Sequence, residues 1–174
     1  TIAVVGYGSQ GHTHAQNLRD SGLKVIIAQR EGSANYDLAK EHGFDPMPVS
    51  DAVKQADLVI MTLPDEVMAD VYNDQIKDNL KAGATLGFTH GFNVHFKYII
   101  APEDSNVIMI APKGPGHTVR SEYLKDGGGV PCLIAIEKNP TGDAKDIGLA
   151  WANGIGGANA GVIVTSFREE TETD

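Results

Sequence analysis

Short apolar runs alternate with longer polar segments of helical spacing, and this alternation limits the possible folds more than any other feature. The first segments read TIAVVG, SQGHTHAQNLRDSG, KVIIAQ and NYDLAKEHG. Such a series is typical of βαβ units, in which helices join parallel strands and cover the sheet. The apolar residues of each run occupy successive positions, so we expect both faces of the strands to be buried. The sequence therefore predicts an α/β fold with a doubly wound, mostly parallel sheet.

Five further apolar runs complete the predicted sheet. They are DLVIMTL at 57–63, ATLGF at 84–88, NVIMIAP at 106–112, PCLIAIE at 131–137 and AGVIVTS at 160–166. Between them we predict a helix over 64–80, where apolar residues recur at helical spacing, and another over 143–157, which ends in glycines. The segment 111–123 is rich in proline and glycine, and we expect it to be irregular rather than a routine connection.

Size and charge restrict the partners of this chain. The 174 residues with 41% hydrophobic content suit a single domain, which we place over 1–174. The net charge of -9 argues against nucleic acid and an anionic membrane surface as partners. Cys132 is the one cysteine of the sequence, so it cannot form an internal disulfide. No apolar run approaches the roughly 18 residues that span a bilayer. We therefore expect a cytoplasmic protein.

Gly6, Gly8 and Gly11 form a GxGxxG pattern between the first predicted strand and the first predicted helix. This pattern allows a tight turn, close approach of the backbone to a pyrophosphate and close packing of the helix on the strand. The N–H groups and the positive dipole end of the helix then face the phosphates. An ordinary glycine-rich turn is the alternative, because the pattern alone has low specificity. Its position in a βαβ series favours a Rossmann-type dinucleotide-binding domain.

Two histidines follow these glycines. His12 and His14 lie two residues apart, so on a helix they point to different sides. This spacing disfavours a metal site, and we expect these histidines to face solvent or to pack.

The end of the second predicted strand bears on the choice of dinucleotide. An acid there would bind the ribose 2′-OH of NAD, whereas an arginine would accommodate the 2′-phosphate of NADP. No acid stands at Ala28 or Gln29, while Arg30 and Ser33 offer a cation and a hydroxyl, which favours NADP. Glu31 would repel a phosphate, so NADH is the alternative. A solvated loop pair of arginine and glutamate is a further alternative.

Three loops follow strands, at the edge where parallel sheets bind ligands. They are TLPDEVM at 62–68, FTHGFNVHF at 88–96 and APKGPGHTVRSEY at 111–123. His90 and Lys113 lie in the second and third loops and are candidates for catalysis. A single histidine or lysine is more often structural or solvated, and that is the alternative for each. Their shared edge with the glycine turn favours the catalytic interpretation.

Several longer motifs resemble the N-terminal domain of ketol-acid reductoisomerase, also called acetohydroxyacid isomeroreductase. They are, in order, GYGSQGHTHAQNLRDSG, FTHGFNV, APKGPGHTVRSEY, GVPCLIAIE and SFREETETD, and they extend over the whole chain. The resemblance implies a magnesium-dependent alkyl shift in 2-acetolactate or 2-aceto-2-hydroxybutyrate, then reduction by NADPH to a 2,3-dihydroxy acid. That reaction belongs to branched-chain amino-acid biosynthesis, on the route to valine, leucine and isoleucine. The resemblance further implies a homo-oligomer for the full-length enzyme.

The resemblance also implies roles for individual residues. Those implied to line the pyrophosphate are Tyr7, Gly8, Ser9 and Gln10. Those implied around the ribose phosphate of the adenosine are Arg30, Ser33 and Asn35. The other implied cofactor contacts are Asp65, Glu66, Val67, Met68 and Gly116. The resemblance makes His90 the active-site histidine, Lys113 a lysine near the metals and Asp174 a magnesium ligand.

The chain departs from the family pattern in several places. Asn35 stands where the family usually has a serine, so the use of NADH or of both dinucleotides is an alternative. Asn159 and Val164 stand where an Arg and a Glu are expected, and we interpret this difference as local packing or interface variation. The helical C-terminal domain of the family, which supplies further metal-binding carboxylates, lies outside this sequence. A chain with only Asp174 as a magnesium ligand is expected to bind a dinucleotide without turnover.

Two other functions compete with this one. A non-catalytic NAD(P)-sensing module needs the glycine turn but has no use for His90 and Lys113. Another β-hydroxyacid-type dehydrogenase could use a lysine but leaves EETETD unexplained. The enzyme interpretation accounts for the most residues.

Overall fold

A seven-stranded sheet organises the computed structural model, which describes residues 1–125 and 127–173. The strands are β1 (Ile2–Val5), β2 (Val25–Ala28), β3 (Leu58–Met61), β4 (Thr85–Phe88), β5 (Asn106–Pro112), β6 (Cys132–Lys138) and β7 (Val162–Val164). Their order is β2-β1-β3-β4-β5-β6-β7. Within the described residues all neighbouring strands are parallel except β5 and β6. The predicted doubly wound, mostly parallel sheet is confirmed.

Helices connect most of these strands. They are α1 (Ser9–Asp20), α2 (Ala34–Glu41), α3 (Val49–Gln55), α4 (Asp65–Val71), α5 (Phe92–His95), α6 (Gly116–Tyr123), α7 (Ala144–Gly154), α8 (Gly157–Ala160) and α9 (Phe167–Thr173). No helix in the described part of the chain is both long and apolar enough to cross a bilayer.

The helix predicted over 64–80 is only partly α-helical. After α4 the backbone continues as a π-helical turn over Tyr72–Ile76 and a 3-10 turn over Lys77–Asn79. A π-turn widens the helix, and here Tyr72 and Ile76 are both fully buried. The four residues whose spacing predicts this helix, Val67, Val71, Ile76 and Leu80, do not mark its buried face: Val67 is 42% exposed, and only Ile76 of the four is fully buried. The buried face is formed instead by Met68, Tyr72 and Ile76, and the apolar spacing could not distinguish these helix types either.

Other segments differ from the prediction in extent. The segment expected to be irregular over 111–123 contains α6, which begins directly after Pro115. The strand predicted over 160–166 is only Val162–Val164, because α8 extends to Ala160. Helix α3 was not predicted, since its seven residues bury only Ala52 and Val53 and give too short an apolar pattern.

The strands bury side chains on both faces of the sheet. Val5, Met61 and Met109 lie in one apolar core, and Val4 and Ile60 lie in the other. Successive residues of one strand thus enter different cores, as the continuous apolar runs predicted.

The strand order also locates the ligand-binding edge. The chain passes from β1 to β2 on one side and then returns to β3 on the other side of β1. The loops after β1 and β3 therefore lead away from each other, which opens a crevice at the carboxyl ends of these two strands.

Candidate functional site

Three adjoining cavities form a groove at this edge. The outer cavity, of about 550 Å³, is lined by Ala28, Gln29, Arg30, Glu31, Pro48, Val49, Leu63, Val67, Val71 and Gln75. The central cavity, of about 430 Å³, is lined by Gly6, Tyr7, Gly8, Ser9, Gln10, Gln29, Asn35, Thr62, Leu63, Pro64, Asp65, Met68, Thr89 and His90. The inner cavity, of about 520 Å³, is lined by Gln10, Thr89, His90, Ala111, Pro112, Lys113, Gly114 and Glu170. Shared lining residues make these cavities continuous.

The glycine turn forms the floor of the central cavity, and its glycines occupy different surroundings. Gly6 has φ +93°, a conformation that side chains rarely adopt. A Cβ on Gly11 would overlap the carbonyl oxygen of Gly6, so this glycine allows α1 to pack on the turn. A Cβ on Gly8 would meet no atom of the described chain within 4 Å. Gly8 therefore leaves space for a ligand, as the fingerprint requires.

Gln29 connects the glycine turn to the loop between β2 and α2. Its Oε1 accepts a hydrogen bond from the Tyr7 N–H at 3.0 Å, and its Nε2 donates to Ser33 Oγ at 3.1 Å. Ser33 Oγ in turn donates to the Arg30 carbonyl at 2.8 Å and caps α2 by accepting from the Tyr36 N–H. The residue pattern marks Gln29 only as a position without an acid, and this connecting role was not predicted.

The structure brings most of the predicted cofactor residues to the groove. Arg30 and Val67 line the outer cavity, and Asn35, Asp65 and Met68 line the central one. Four predicted residues are outside the described linings of the three cavities: Gly11, Ser33, Glu66 and Gly116.

These four residues have other surroundings. Gly116 is buried where a Cβ would overlap Ser9, so it allows α6 to approach α1. Glu66 is exposed on α4. Gly11 allows α1 to pack on the glycine turn, and Ser33 holds the loop between β2 and α2 through its hydrogen bonds.

Among the described residues, two carboxylates hold His90 at the junction of the central and inner cavities. Its Nδ1 lies 2.8 Å from Glu170 Oε1, and its Nε2 lies 3.6 Å from Asp65 Oδ2. Since an ionised carboxylate only accepts hydrogen bonds, Nδ1 carries a proton and donates it to Glu170. In the neutral ring Nε2 is then unprotonated, which is the state of a general base.

Glu170 is itself fixed by the fold. The residue is 7% exposed, and its Oε2 accepts the Gly91 N–H at 2.7 Å. A Cβ on Gly91 would lie 2.6 Å from the Phe167 carbonyl oxygen, so only glycine allows α9 this close. Glu170 was not predicted as a site residue, although its spacing of four from Asp174 in EETETD was an available signal.

Lys113 directly follows β5 and lines the inner cavity. Its backbone N–H donates to the Pro131 carbonyl at 2.8 Å, while the residue is exposed at the cavity wall. The two predicted catalytic residues, His90 and Lys113, therefore line one cavity that adjoins the glycine turn.

The histidines after the glycine turn have packing roles. His14 is fully buried, and burial lowers its pKa to about 4, so it is neutral at pH 7. His12 is half-buried beside Tyr7, and burial lowers its pKa as well. Tyr7 bonds His42 Nδ1 through its hydroxyl at 2.7 Å, and burial raises the pKa of Tyr7 to about 12. The prediction of packing is confirmed for His14.

The grouping of the side chains that could bind a metal bears on the predicted magnesium site. Within residues 1–125 and 127–173, no three His, Cys, Asp or Glu side chains are grouped so that they could hold a metal ion. The predicted ligand Asp174 lies outside the described residues. The described side chains therefore do not fit a magnesium ion by themselves.

Comparisons with known proteins identify relatives over nearly the whole chain. Residues 1–161 match the model of the family described as "Acetohydroxy acid isomeroreductase, NADPH-binding domain". The structure of an NADH-preferring ketol-acid reductoisomerase from an uncultured archaeon is 44% identical, with a TM-score of 0.96, and the match covers 99% of this chain and 54% of that one. The chain thus spans about half the length of this relative.

More distant structures share the fold. A semialdehyde dehydrogenase NAD-binding protein from Cupriavidus necator matches 97% of this chain and 64% of its own, with a TM-score of 0.80 and 20% identity. The 3-hydroxyisobutyrate dehydrogenase of Mycobacterium tuberculosis matches 95% of this chain and 54% of its own, with a TM-score of 0.66 and 16% identity.

The family assignment rests on the family match and on the 44% identity, and the glycine turn at the ligand-binding edge of the sheet agrees with it. The chain belongs to the ketol-acid (acetohydroxy acid) reductoisomerase family of oxidoreductases and contains its NADPH-binding domain.

Proposed function

We propose that the family-length enzyme carrying this domain is a ketol-acid reductoisomerase. It moves an alkyl group within 2-acetolactate or 2-aceto-2-hydroxybutyrate and reduces the resulting 2-keto acid to the 2,3-dihydroxy acid. The observation that carries this proposal is the continuity of the groove, which links the glycine turn to a cavity lined by His90, Glu170 and Lys113. The domain alone is expected to bind the dinucleotide without turnover.

The groove fits a dinucleotide along its length. The bound dinucleotide supplies the hydride. The open face of Gly8 and the first N–H groups of α1 suit the diphosphate. Apolar side chains of the outer cavity, among them Val49 and Val67, suit a flat adenine ring. The other end of the groove then lies at the inner cavity beside His90.

His90 is the proposed general base and acid. Its Nε2 accepts the proton of the substrate hydroxyl group. The alkyl group then moves from the hydroxyl-bearing carbon to the neighbouring carbonyl carbon, and the deprotonated oxygen becomes the new ketone. The carbonyl becomes an alkoxide that takes up a proton, and hydride addition to the new ketone consumes one further proton. Glu170 stabilises the imidazolium through Nδ1, and Asp65 adds a second negative charge near Nε2. Lys113 provides a positive charge for the developing alkoxide.

The loop after β2 supports use of both NADPH and NADH. Arg30 provides a cation at the outer cavity, but Glu31 beside it opposes a 2′-phosphate. Ser33 Oγ donates to the Arg30 carbonyl and accepts two N–H groups, so it must break a bond to donate to a phosphate. We expect the dissociation constants for NADPH and NADH to differ by no more than about tenfold, or about 1.4 kcal/mol.

The remaining features are proposed on the family resemblance. They are a requirement for magnesium with Asp174 as one ligand, a cytoplasmic homo-oligomer and a place on the route to valine and isoleucine. The described side chains do not form a metal site by themselves, so further ligands are assigned to the rest of the family-length enzyme.

The experiment is an assay of the family-length enzyme with 2-acetolactate, magnesium and NADPH or NADH. We expect dinucleotide oxidation matched by formation of the 2,3-dihydroxy acid. We expect His90→Gln to reduce kcat by about 100-fold or more, as loss of a general base does, and the exposed Lys145→Gln on α7 to be a neutral control. Tight dinucleotide binding without any conversion would instead support the sensor function.

A further inference from the structure

Three side chains form a hydrogen-bonded row that leads from the core to the groove. The indole Nε1 of Trp151 on α7 donates to His14 Nδ1 at 3.0 Å. The other ring nitrogen of His14, Nε2, lies 3.1 Å from Oε1 of Gln10, one turn earlier on α1. Gln10 lines both the central and the inner cavity. The row therefore ends where these two cavities meet.

The row permits only one arrangement of protons. An indole N–H can only donate, so His14 Nδ1 is unprotonated. The buried ring is neutral at pH 7 and carries its single proton on Nε2. That proton is donated to Gln10, so the bonded atom of the Gln10 amide is its oxygen. The NH2 group of Gln10 is consequently held on the side of the amide away from His14.

Packing against the sheet fixes the orientation of Trp151, whose indole N–H is the first donor of the row. Trp151 is 1% exposed and lies over β4, where a Cβ on Gly87 would be only 2.7 Å from its Cζ3. The rings of His14 and Trp151 meet edge to face, with centroids 5.7 Å apart. The orientation of the Gln10 amide is therefore set by the sheet and α7 rather than by a surface loop.

We propose that His14 and Trp151 are positioning residues that orient the Gln10 amide so that its NH2 group donates to an acceptor oxygen in the nicotinamide half of the bound dinucleotide. The proposal rests on the proposed function, because it requires a dinucleotide in the groove. Gln10 belongs to the glycine turn and lines both the central cavity and the inner cavity of His90, to which we assign that half. A flipped amide would present its carbonyl oxygen to the same acceptor, and two acceptors repel.

The first test observes the tautomer of His14 directly. Long-range ¹H–¹⁵N correlation spectra of the labelled chain are recorded between about pH 5 and pH 8. We expect a neutral ring protonated at Nε2 throughout most of this range. A ring protonated at Nδ1, or one that titrates near its ordinary pKa, would overturn the row whether or not a dinucleotide binds.

The second test compares two substitutions of the same residue. His14→Gln can still accept from Trp151 and donate to Gln10, whereas His14→Leu can do neither. We expect His14→Leu to weaken NADPH and NADH binding about tenfold or more, because a flipped amide loses its hydrogen bond and leaves the acceptor oxygen unsatisfied. We expect His14→Gln to retain most of the affinity. Both variants should bind adenosine 2′,5′-bisphosphate, which lacks the nicotinamide half, within about twofold of the wild type.

A control separates positioning from loss of stability. Asn17 is buried on the same helix and hydrogen bonds Arg120 Nη1 and the Val119 carbonyl. Asn17→Ala should lower stability without a change in NADPH affinity. Equal NADPH affinity of the wild type and a folded His14→Leu variant would overturn the proposal, as would equal losses for His14→Leu and His14→Gln. A wild-type chain that binds neither NADPH nor NADH would overturn the proposed function and this proposal together.

Discussion

Single glycines of the turn after β1 serve either the fold or the ligand, and the space around each one decides which. A Cβ on Gly11 would overlap the Gly6 carbonyl, whereas a Cβ on Gly8 would point into the groove with no described atom within 4 Å. The GxGxxG pattern does not distinguish the roles of Gly8 and Gly11. The structure does, because the contact across the turn depends on how α1 packs on β1.

This difference predicts opposite effects of two alanine substitutions. Gly11→Ala should lower the free energy of unfolding by roughly 1–3 kcal/mol, since the clash is with backbone. Gly8→Ala should leave that free energy within about 0.5 kcal/mol but weaken NADPH binding, because the methyl group occupies the path of the diphosphate. Urea unfolding and calorimetric titration of each variant measure the two effects. Unchanged NADPH affinity in Gly8→Ala would place the diphosphate elsewhere.

The buried His14 also predicts a pH dependence of stability. Its pKa is about 4 in the folded chain and 6.5 when unperturbed, so between these values the unfolded chain binds the extra proton. The contribution of His14 to stability is therefore complete above about pH 6.5 and is lost as the pH falls to about 4. The loss amounts to about 3 kcal/mol.

Urea unfolding of the wild type and His14→Gln at about pH 7 and pH 4 isolates this contribution, because the other titrating groups are common to both. The wild type should lose about 3 kcal/mol more than the variant on acidification. Parallel losses in the two proteins would show that the ring is protonated in the folded chain.

Helix α9 is the element that completes the candidate site. Phe167 is 2% exposed and meets Phe88 edge to face with ring centroids 6.2 Å apart, which anchors the helix on the sheet. Three residues later, Glu170 reaches His90 and the Gly91 N–H. The apolar anchor Phe167 and the His90 partner Glu170 thus lie on one face of a short helix.

Removing the anchor should therefore disturb the site through α9. Phe167→Ala should lower the free energy of unfolding by about 3–5 kcal/mol and remove the hydrogen-exchange protection of the Gly91 amide. Arg168→Ala is a matched control, because Arg168 is exposed and pairs with Glu172 on the same helix; its cost should stay below about 0.5 kcal/mol. Retained protection of Gly91 in a folded Phe167→Ala variant would contradict this role of α9.

The loop between β2 and α2 is the element to which we assign the choice of dinucleotide. Arg30→Gln should weaken NADPH binding about tenfold or more, since it removes a charge-assisted bond to the 2′-phosphate, and should leave NADH binding nearly unchanged. Glu31→Gln should strengthen NADPH binding by about two- to fivefold, the scale of an exposed charge interaction. Titrations of both dinucleotides at one salt concentration test this pair. Equal changes for NADPH and NADH would place the 2′-phosphate away from this loop.

An element could be predicted from the sequence when the contacts that define it join residues close together in the chain. Strands were evident from continuous apolar runs, but α3 is short and buries few residues, so its pattern was too weak. The antiparallel direction of β6 depends on how the chain crosses from α6, which no local pattern records. The pairing of His90 with Glu170 joins residues 80 positions apart, and that of His14 with Trp151 joins residues 137 apart. Such contacts are properties of the tertiary structure.

At the scale of the whole molecule, the strand order places the dinucleotide groove and the candidate catalytic residues on one edge. The reversal of strand order at β1 opens the groove, and β4, β5 and α9 bring His90, Lys113 and Glu170 to its inner end. This arrangement makes dinucleotide binding the central property of the chain, on which the catalytic proposal depends.

Calorimetric titration of the chain with NADPH and separately with NADH tests that property most directly. We predict binding of one dinucleotide per chain, with dissociation constants that differ by no more than about tenfold and with much weaker binding by Gly8→Ala. A folded chain that binds neither dinucleotide, or a Gly8→Ala variant that binds both as tightly as the wild type, would contradict the assignment of the groove.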